Sequence, residues 1–157
     1  MNMQSILKPE LAFCNVTGGS KKRLLETSAE LIAEKVDQVN ANQIYEALIA
    51  REQLGSTGLG NGIAIPHCRI PRLKETIGCL IKLESPVDFD AVDKQPVDLL
   101  FFLLVPENTL AGHLEALRTL AEHFTNPVFC ANLRVAQTDI ELFEAATAFM
   151  QDKREAG

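Results

Sequence analysis

The chain has 157 residues, 46% of them hydrophobic, which suits one compact domain with a sizeable core. Its net charge of −6 and its lack of a long Lys/Arg cluster argue against nucleic acid as a partner. No apolar run approaches the roughly 20 residues that span a bilayer, and the four cysteines form no Cys-x-x-Cys pair. We therefore expect a cytoplasmic protein without membrane insertion, with reduced thiols and with neither metal nor cofactor.

The first predicted elements are a short strand and two helices. Residues 10–16 indicate a strand, and residues 21–36 a helix with Ser20 as its N-cap. A second helix is predicted over residues 42–53 and ends near Gly55, a residue favoured after helix C-termini. The side chains that we expect this helix to bury are Ile44, Tyr45, Leu48 and Ile49.

Two strands and further helices are predicted in the rest of the chain. Residues 76–83 and 97–105 indicate strands, and the second is almost continuously apolar, which is typical of a central strand covered on both faces. Apolar residues then recur at helical spacing, and one or two more helices end the chain. The predicted apolar face consists of Leu110, Leu114, Leu117, Ala121 and Phe124. This order of elements predicts an α/β fold, a three-layer sandwich, but does not decide whether its sheet is parallel or mixed.

Residues 55–62, GSTGLGNG, form a glycine-rich loop before the next apolar segment. No Gly-Lys-Ser/Thr follows, so it is not a Walker loop, and it precedes a strand, so it is not a dinucleotide fingerprint. Two interpretations stay open. The loop is either a connection that needs positive φ angles, or bare backbone whose N–H groups lie close to the residues that follow.

His67 follows this loop, directly after Pro66 and the apolar residues 63–65. A histidine at a strand end can be a core residue, a metal ligand, a general base or a nucleophile, and its position alone does not choose among them. Metal binding is disfavoured because only Cys68 lies near, and its side chain would point to the other face of a continuing strand.

The two other histidines lie ten residues apart on the predicted helix over residues 110–124. His113 is at the border between the apolar face and solvent. His123 is displaced from it by roughly 80° around the helix axis. The two therefore form no metal pair, and we expect His123 at the surface.

Four segments carry a resemblance to a known family. They are REQLGSTGLGNGIAIPH at residues 51–67, PVDLLF at 96–101, LVP at 104–106 and HL at 113–114. Together they resemble the mannitol/fructose-type enzyme IIA domains of the bacterial phosphotransferase system, in particular the nitrogen-regulatory branch. The likeness extends over nearly the whole chain. It implies a single domain over residues 1–157 with a mixed sheet flanked by helices.

The resemblance also implies roles for three residues. His67 accepts a phosphoryl group on Nε2, His113 is a second active-site histidine, and Arg51 lies near the phosphate. One departure is visible, because Cys68 stands where the motif more often has glycine. We hypothesise that a side chain there alters donor docking or makes the site sensitive to oxidation.

These residue types suit phosphoryl transfer. Imidazole, with a reference pKa of about 6.5, is neutral at working pH yet basic enough to attack phosphorus. Transfer depends mainly on positioning and electrostatic stabilisation, which Arg51 and His113 would supply. Loop N–H and hydroxyl groups would complete a phosphate cradle. The predicted phosphate-binding residues are Ser56, Thr57, Gly58, Gly60 and Gly62.

The predicted function is that of a phosphocarrier which takes its phosphoryl group from an HPr-like donor and regulates target proteins through its phosphorylation state. No IIB domain or membrane segment is found in these 157 residues, which favours regulation. The alternative is a sugar-transport enzyme IIA subunit that passes phosphate to a separate IIB protein. A hypothesis from another class is a metal- or thiol-dependent hydrolase that uses His67 and Cys68.

Overall fold

The computed structural model describes the backbone of residues 6–108 and 111–156, and the side chains of residues 6–108 and 114–148. The predicted helices and strands are present, with bounds that shift by a few residues, and the short strands β2 and β4 are additional. In chain order the elements are β1 (Leu7–Val16), α1 (Lys21–Lys35), α2 (Ala41–Glu52), β2 (Gly58–Gly60), β3 (Ile63–Ala64), β4 (His67–Ile70), β5 (Ile77–Val87), β6 (Val97–Pro106), α3 (Ala111–Phe124), α4 (Pro127–Val135) and α5 (Asp139–Ala156).

Across the described residues the strands form one mixed sheet with the order β1-β5-β6-β3-β2, and β4 also pairs with β6. β5 and β6 are antiparallel, whereas β3 and β4 both run parallel to β6 along its other edge. The register on β6 is Ile63 opposite Leu99 and His67 opposite Leu103. The apolar strand β6 is therefore central, as predicted, and His67 lies on the strand next to it.

Helices cover both faces of the sheet, so the predicted three-layer α/β fold is confirmed. Alternate residues of β6 point to opposite faces, because the side-chain period of a strand is two. Leu100, Phe102 and Leu104 pack in one apolar cluster with α1 and α2. Leu99, Phe101, Leu103 and Val105 pack in a second cluster with α3, α4 and α5. Burial on both faces explains why the strand is almost entirely apolar.

The predicted apolar face of α3 is wrong in part. Leu114 is 65% exposed, whereas Ala116 and Leu120 are buried beside Phe124. His123, expected at the surface, is buried, with its ring 5.8 Å from that of Phe129. An imidazole has an apolar body, so it can join an aromatic cluster. The face of α3 that packs on the sheet is rotated about the helix axis by roughly a quarter of a turn from the predicted face, and Phe124 belongs to both. Leu110 lies outside the described residues.

Ser28 of α1 provides a stability prediction. Its side chain is fully buried, and among the described residues its Oγ has no hydrogen-bond partner. An unsatisfied buried hydroxyl is destabilising, and alanine has the higher helix propensity. Ser28→Ala should therefore raise the free energy of unfolding by about 1 kcal/mol, measured by urea denaturation.

Ser20 is the matched control for this substitution. Its hydroxyl oxygen accepts a hydrogen bond from the N–H of Arg23 at 3.1 Å and caps α1, as predicted. Ser20→Ala should lower the free energy of unfolding by about 1 kcal/mol, the usual cost of losing an N-cap. Equal destabilisation by both substitutions would mean that the Ser28 hydroxyl does have a partner in solution.

Candidate active site

The main chain around His67 is fixed by the central strand. Pro66 precedes it, and the carbonyl oxygen of Pro66 accepts a hydrogen bond from the N–H of Leu103 at 2.9 Å. β4 then begins at His67 and pairs with β6. The imidazole therefore projects from a rigid part of the sheet and is half-buried.

Two hydrogen bonds determine which nitrogen of His67 carries the proton. The Arg51 Nε–H group lies 3.2 Å from His67 Nε2, and a guanidinium can only donate, so Nε2 is the acceptor. Nδ1 consequently carries the proton and donates it to the carbonyl oxygen of Ile65 at 2.8 Å. The free lone pair of the ring, the one that can act as a nucleophile once Arg51 moves aside, is thus on Nε2.

The surroundings of His67 keep the ring neutral. Burial is the largest influence and lowers the pKa of His67 below its ordinary value of 6.5. The hydrogen bond to the Ile65 carbonyl raises the pKa, the charge of Arg51 lowers it, and the charge of Glu52 raises it. The net shift is downward, so the imidazole is unprotonated near pH 7.

Arg51 reaches the site from the last turn of α2, which packs beside β4. Besides its contact with His67, its Nη1 donates to the carbonyl oxygen of Gly55 at 2.9 Å. The guanidinium is therefore held at two points. This arrangement directs a fixed positive charge at the nitrogen that we expect to react.

The glycine-rich loop is a β-hairpin, since β2 and β3 pair in antiparallel fashion. Its hydroxyl groups already have partners in the protein. Ser56 Oγ donates to the carbonyl oxygen of Phe89 at 2.7 Å and accepts from the N–H of Gly58 at 3.0 Å. The Thr57 hydroxyl donates to Glu52. The groups predicted to bind phosphate at these three positions are thus used to shape the hairpin.

Gly60 and Gly62 lie at the far end of this hairpin. The carbonyl oxygen of Gly62 accepts from the N–H of Leu99, four residues along β6 from Leu103, the partner of His67. Four residues of strand span about 13 Å, so Gly62 meets β6 at a point well removed from the pairing position of His67. Gly62 has φ +83, and a Cβ there would lie 2.7 Å from Arg134 Nη2. Its role is the turn and the close packing.

The structure describes the side chain of Cys68 but not that of His113, the other two residues that the sequence singled out. His113 belongs to α3, but its side chain lies outside the described residues. Cys68 is buried in β4, and burial raises the pKa of its thiol to about 12. Oxidation requires the thiolate, which this environment disfavours, so the structure argues against Cys68 as a redox-sensitive residue. Within the described ranges, no group of three or more His, Cys, Asp or Glu residues could hold a metal ion.

Glu52 is a residue of the site that the sequence reading missed. Its carboxylate is buried, forms an ion pair with Lys21 at 2.9 Å and accepts hydrogen bonds from Thr57. A signal was present in the sequence. Ile44, Leu48 and Glu52 recur every four residues, which places Glu52 on the buried face of α2.

The chain is similar in sequence to known proteins. Residues 5–147 match the family described as the phosphoenolpyruvate-dependent sugar phosphotransferase system, EIIA 2. A nitrogen regulatory protein from Pseudomonas aeruginosa is 48% identical over 144 residues, which cover 92% of this chain and 94% of that protein.

Solved structures show the same architecture. The nitrogen regulatory protein IIA-Ntr from Neisseria meningitidis superimposes with a TM-score of 0.84 at 39% identity, covering 90% of this chain and 97% of that one. The mannitol IIA protein from Escherichia coli has a TM-score of 0.74 at 19% identity, over 88% and 97% of the two chains, and shares the fold. Among the described residues, none of the helices has the length and apolar character needed to cross a membrane.

Proposed function

The chain belongs to the phosphoenolpyruvate-dependent sugar phosphotransferase system EIIA 2 family, and from this membership we propose that it carries a phosphoryl group on Nε2 of His67. The donor is an HPr-like phosphocarrier protein, and the phosphorylation state regulates which target proteins bind. Arg51 and His113 act as supporting groups. In this proposal the protein works in the cytoplasm.

One observation carries the proposal, namely the position of His67 between Arg51 and Ile65. The Ile65 carbonyl fixes the proton on Nδ1, and the Arg51 Nε–H group meets the lone pair on Nε2. A neutral, oriented imidazole beside a fixed cation is what attack on a phosphoryl group requires. A core histidine would need neither the cation nor the single tautomer.

The transfer step follows from this geometry. The Nε2 lone pair forms a bond to phosphorus while the bond from phosphorus to the donor's histidine nitrogen breaks. The donor ring, protonated on its other nitrogen, leaves as neutral imidazole with that electron pair. The His67 ring then carries the positive charge, which the Ile65 carbonyl stabilises through the Nδ1–H group. Arg51 shifts its donation from Nε2 to the phosphoryl oxygens.

Exposed apolar side chains on the segments that hold Arg51 and the hairpin suit docking of another protein. Leu54 is 84% exposed and lies in the turn whose Gly55 carbonyl holds Arg51. Val92 is 88% exposed and follows Ala91, which packs against Gly58. Apolar side chains beside a nucleophile exclude water when a partner covers them.

Phosphorylation would change partner choice through charge. It places up to about two negative charges on the His67 ring. A partner with an apolar contact face would have to desolvate those charges without compensation, so its binding weakens. A partner that presents arginine side chains or a helix N-terminus would gain.

Incubation with a reconstituted phosphoenolpyruvate-driven relay tests the proposed function. The purified protein should acquire one phosphoryl group only when the HPr-like donor is present. The label should be lost in acid and kept in alkali, as a phosphoramidate is, and peptide mapping should place it on His67. An acid-stable label would indicate serine or threonine and would reject this proposal.

A second candidate function is that of a sugar-transport IIA subunit, which the family description favours by naming sugar phosphotransferase systems. The two functions differ in where the phosphoryl group goes. A transport subunit should transfer it rapidly to a separate IIB protein, whereas a regulator keeps it until the donor takes it back. Adding purified IIB proteins to the labelled protein distinguishes the two.

A further inference from the structure

Glu52 is a buried carboxylate one residue after Arg51, at the end of α2. Its side chain is 5% exposed, and its contacts come from two other segments. Lys21, at the start of α1, forms an ion pair with Oε2 at 2.9 Å. Thr57, just before β2, donates its N–H to Oε2 at 3.2 Å and its hydroxyl to Oε1. Glu52 therefore joins the start of α1, the end of α2 and the entry to the hairpin.

A chain of hydrogen bonds leads from Glu52 to the Nδ1 side of His67. Thr57, held by Glu52, accepts the N–H of Ile65 on its carbonyl oxygen at 3.1 Å. The carbonyl oxygen of Ile65 in turn accepts from His67 Nδ1 at 2.8 Å. The group that fixes the tautomer of His67 is thus attached to Glu52 through one intervening residue.

A second connection leads from Glu52 to the Nε2 side of the same ring. Arg51 precedes Glu52 in the chain and donates to His67 Nε2. Its Nη1 is held by the carbonyl oxygen of Gly55, within the short turn that Glu52 closes by binding Thr57. Release of Thr57 would leave this turn held only by its own main-chain hydrogen bonds, and would so loosen the second anchor of the guanidinium.

We propose that Glu52 is a positioning residue that fixes the orientation of the His67 imidazole. It acts on Nε2 through Arg51, and on Nδ1 through Thr57 and Ile65. It does not touch the reacting atoms. This inference rests on the proposed function, since positioning matters for transfer to Nε2. Lys21 compensates the charge of the buried carboxylate, without which its burial would be strongly unfavourable.

Glu52→Gln tests the inference, because glutamine keeps the shape and one acceptor oxygen but loses the second acceptor and the charge that holds Lys21. The first measurement is the tautomer of His67 in the unphosphorylated protein, read from the ring ¹⁵N shifts near pH 7.5. The wild type should show the Nδ1–H form, and the variant a mixture. The second measurement is the single-turnover rate of phosphorylation by the donor, which should fall about tenfold or more. Glu46→Gln removes an exposed carboxylate from the same helix and should match the wild type in both.

Each outcome decides the inference. A folded Glu52→Gln protein with the wild-type tautomer overturns positioning, even if its rate falls. A changed tautomer with an unchanged rate overturns its importance for transfer. If Glu52→Gln does not fold, Thr57→Val, which removes one donor to the carboxylate, should give a smaller tautomer change, and no change overturns the inference. If the wild type accepts no phosphate, the proposed function fails, while the tautomer comparison still decides whether Glu52 positions His67.

Discussion

Replacing His67 with alanine should abolish phosphorylation, because it removes the nitrogen that we propose as the acceptor. The fold should persist, since β4 is held to β6 by main-chain pairing and the imidazole is only half-buried. His67→Gln is the companion variant, with a neutral polar side chain of similar size and no ring nitrogen. The measurement is incorporation of label from the reconstituted relay into folded protein, with Glu46→Gln as the positive control.

Retention of acid-labile phosphate by either folded variant would mean that another histidine is the acceptor.

The pH dependence of phosphorylation of the wild type gives an independent check on His67. Burial lowers the pKa of His67, so Nε2 stays unprotonated down to pH values below the ordinary 6.5. Protonation of His67 should therefore slow phosphorylation only in solutions more acidic than about pH 6.5, because it removes the lone pair.

The overall fold was largely predictable because periodicity and composition encode burial directly. The apolar run in β6 predicted a central strand, and Ser20 predicted the start of α1. The exact face of α3 was not predictable, because Leu114 and Leu120 are equally apolar and tertiary packing alone decides which is buried. The burial of His123 was not predictable either, because histidine counts as a polar residue in a sequence pattern.

The part of the candidate site that could be predicted from the sequence is the part whose chemistry is evident from the residue types alone. The structure brings the predicted pair Arg51 and His67 together across 16 residues. The loop cradle stays a prediction, because glycine spacing does not reveal which N–H groups pair within a hairpin. Glu52 was missed because a carboxylate beside an arginine at a helix end is usually solvent-exposed, and its partner Lys21 comes from a distant segment.

Replacing Arg51 with alanine should slow phosphorylation by about tenfold to a thousandfold, the range for loss of one electrostatic supporting group. In the unphosphorylated protein the guanidinium contacts Nε2, the atom to which phosphorus would bind. It is therefore well placed to stabilise the negative charge on the oxygens of the phosphoryl group during transfer. Arg51→Lys should also be impaired. A lysine ammonium is a compact point charge and lacks the planar fork with which the guanidinium contacts both Nε2 and the Gly55 carbonyl.

The same substitution should also shift the titration of His67, which separates an electrostatic role from a purely structural one. The charge of Arg51 lowers the pKa of His67, so its removal should raise that pKa. The loss of rate in acid should then begin at a higher pH in Arg51→Ala than in the wild type. Arg23→Ala removes an exposed arginine, which pairs with Glu26 on α1, and should leave both the rate and the titration unchanged. If Arg51→Ala shows the wild-type rate and the wild-type pKa of His67, the contact between these two residues has no part in the transfer.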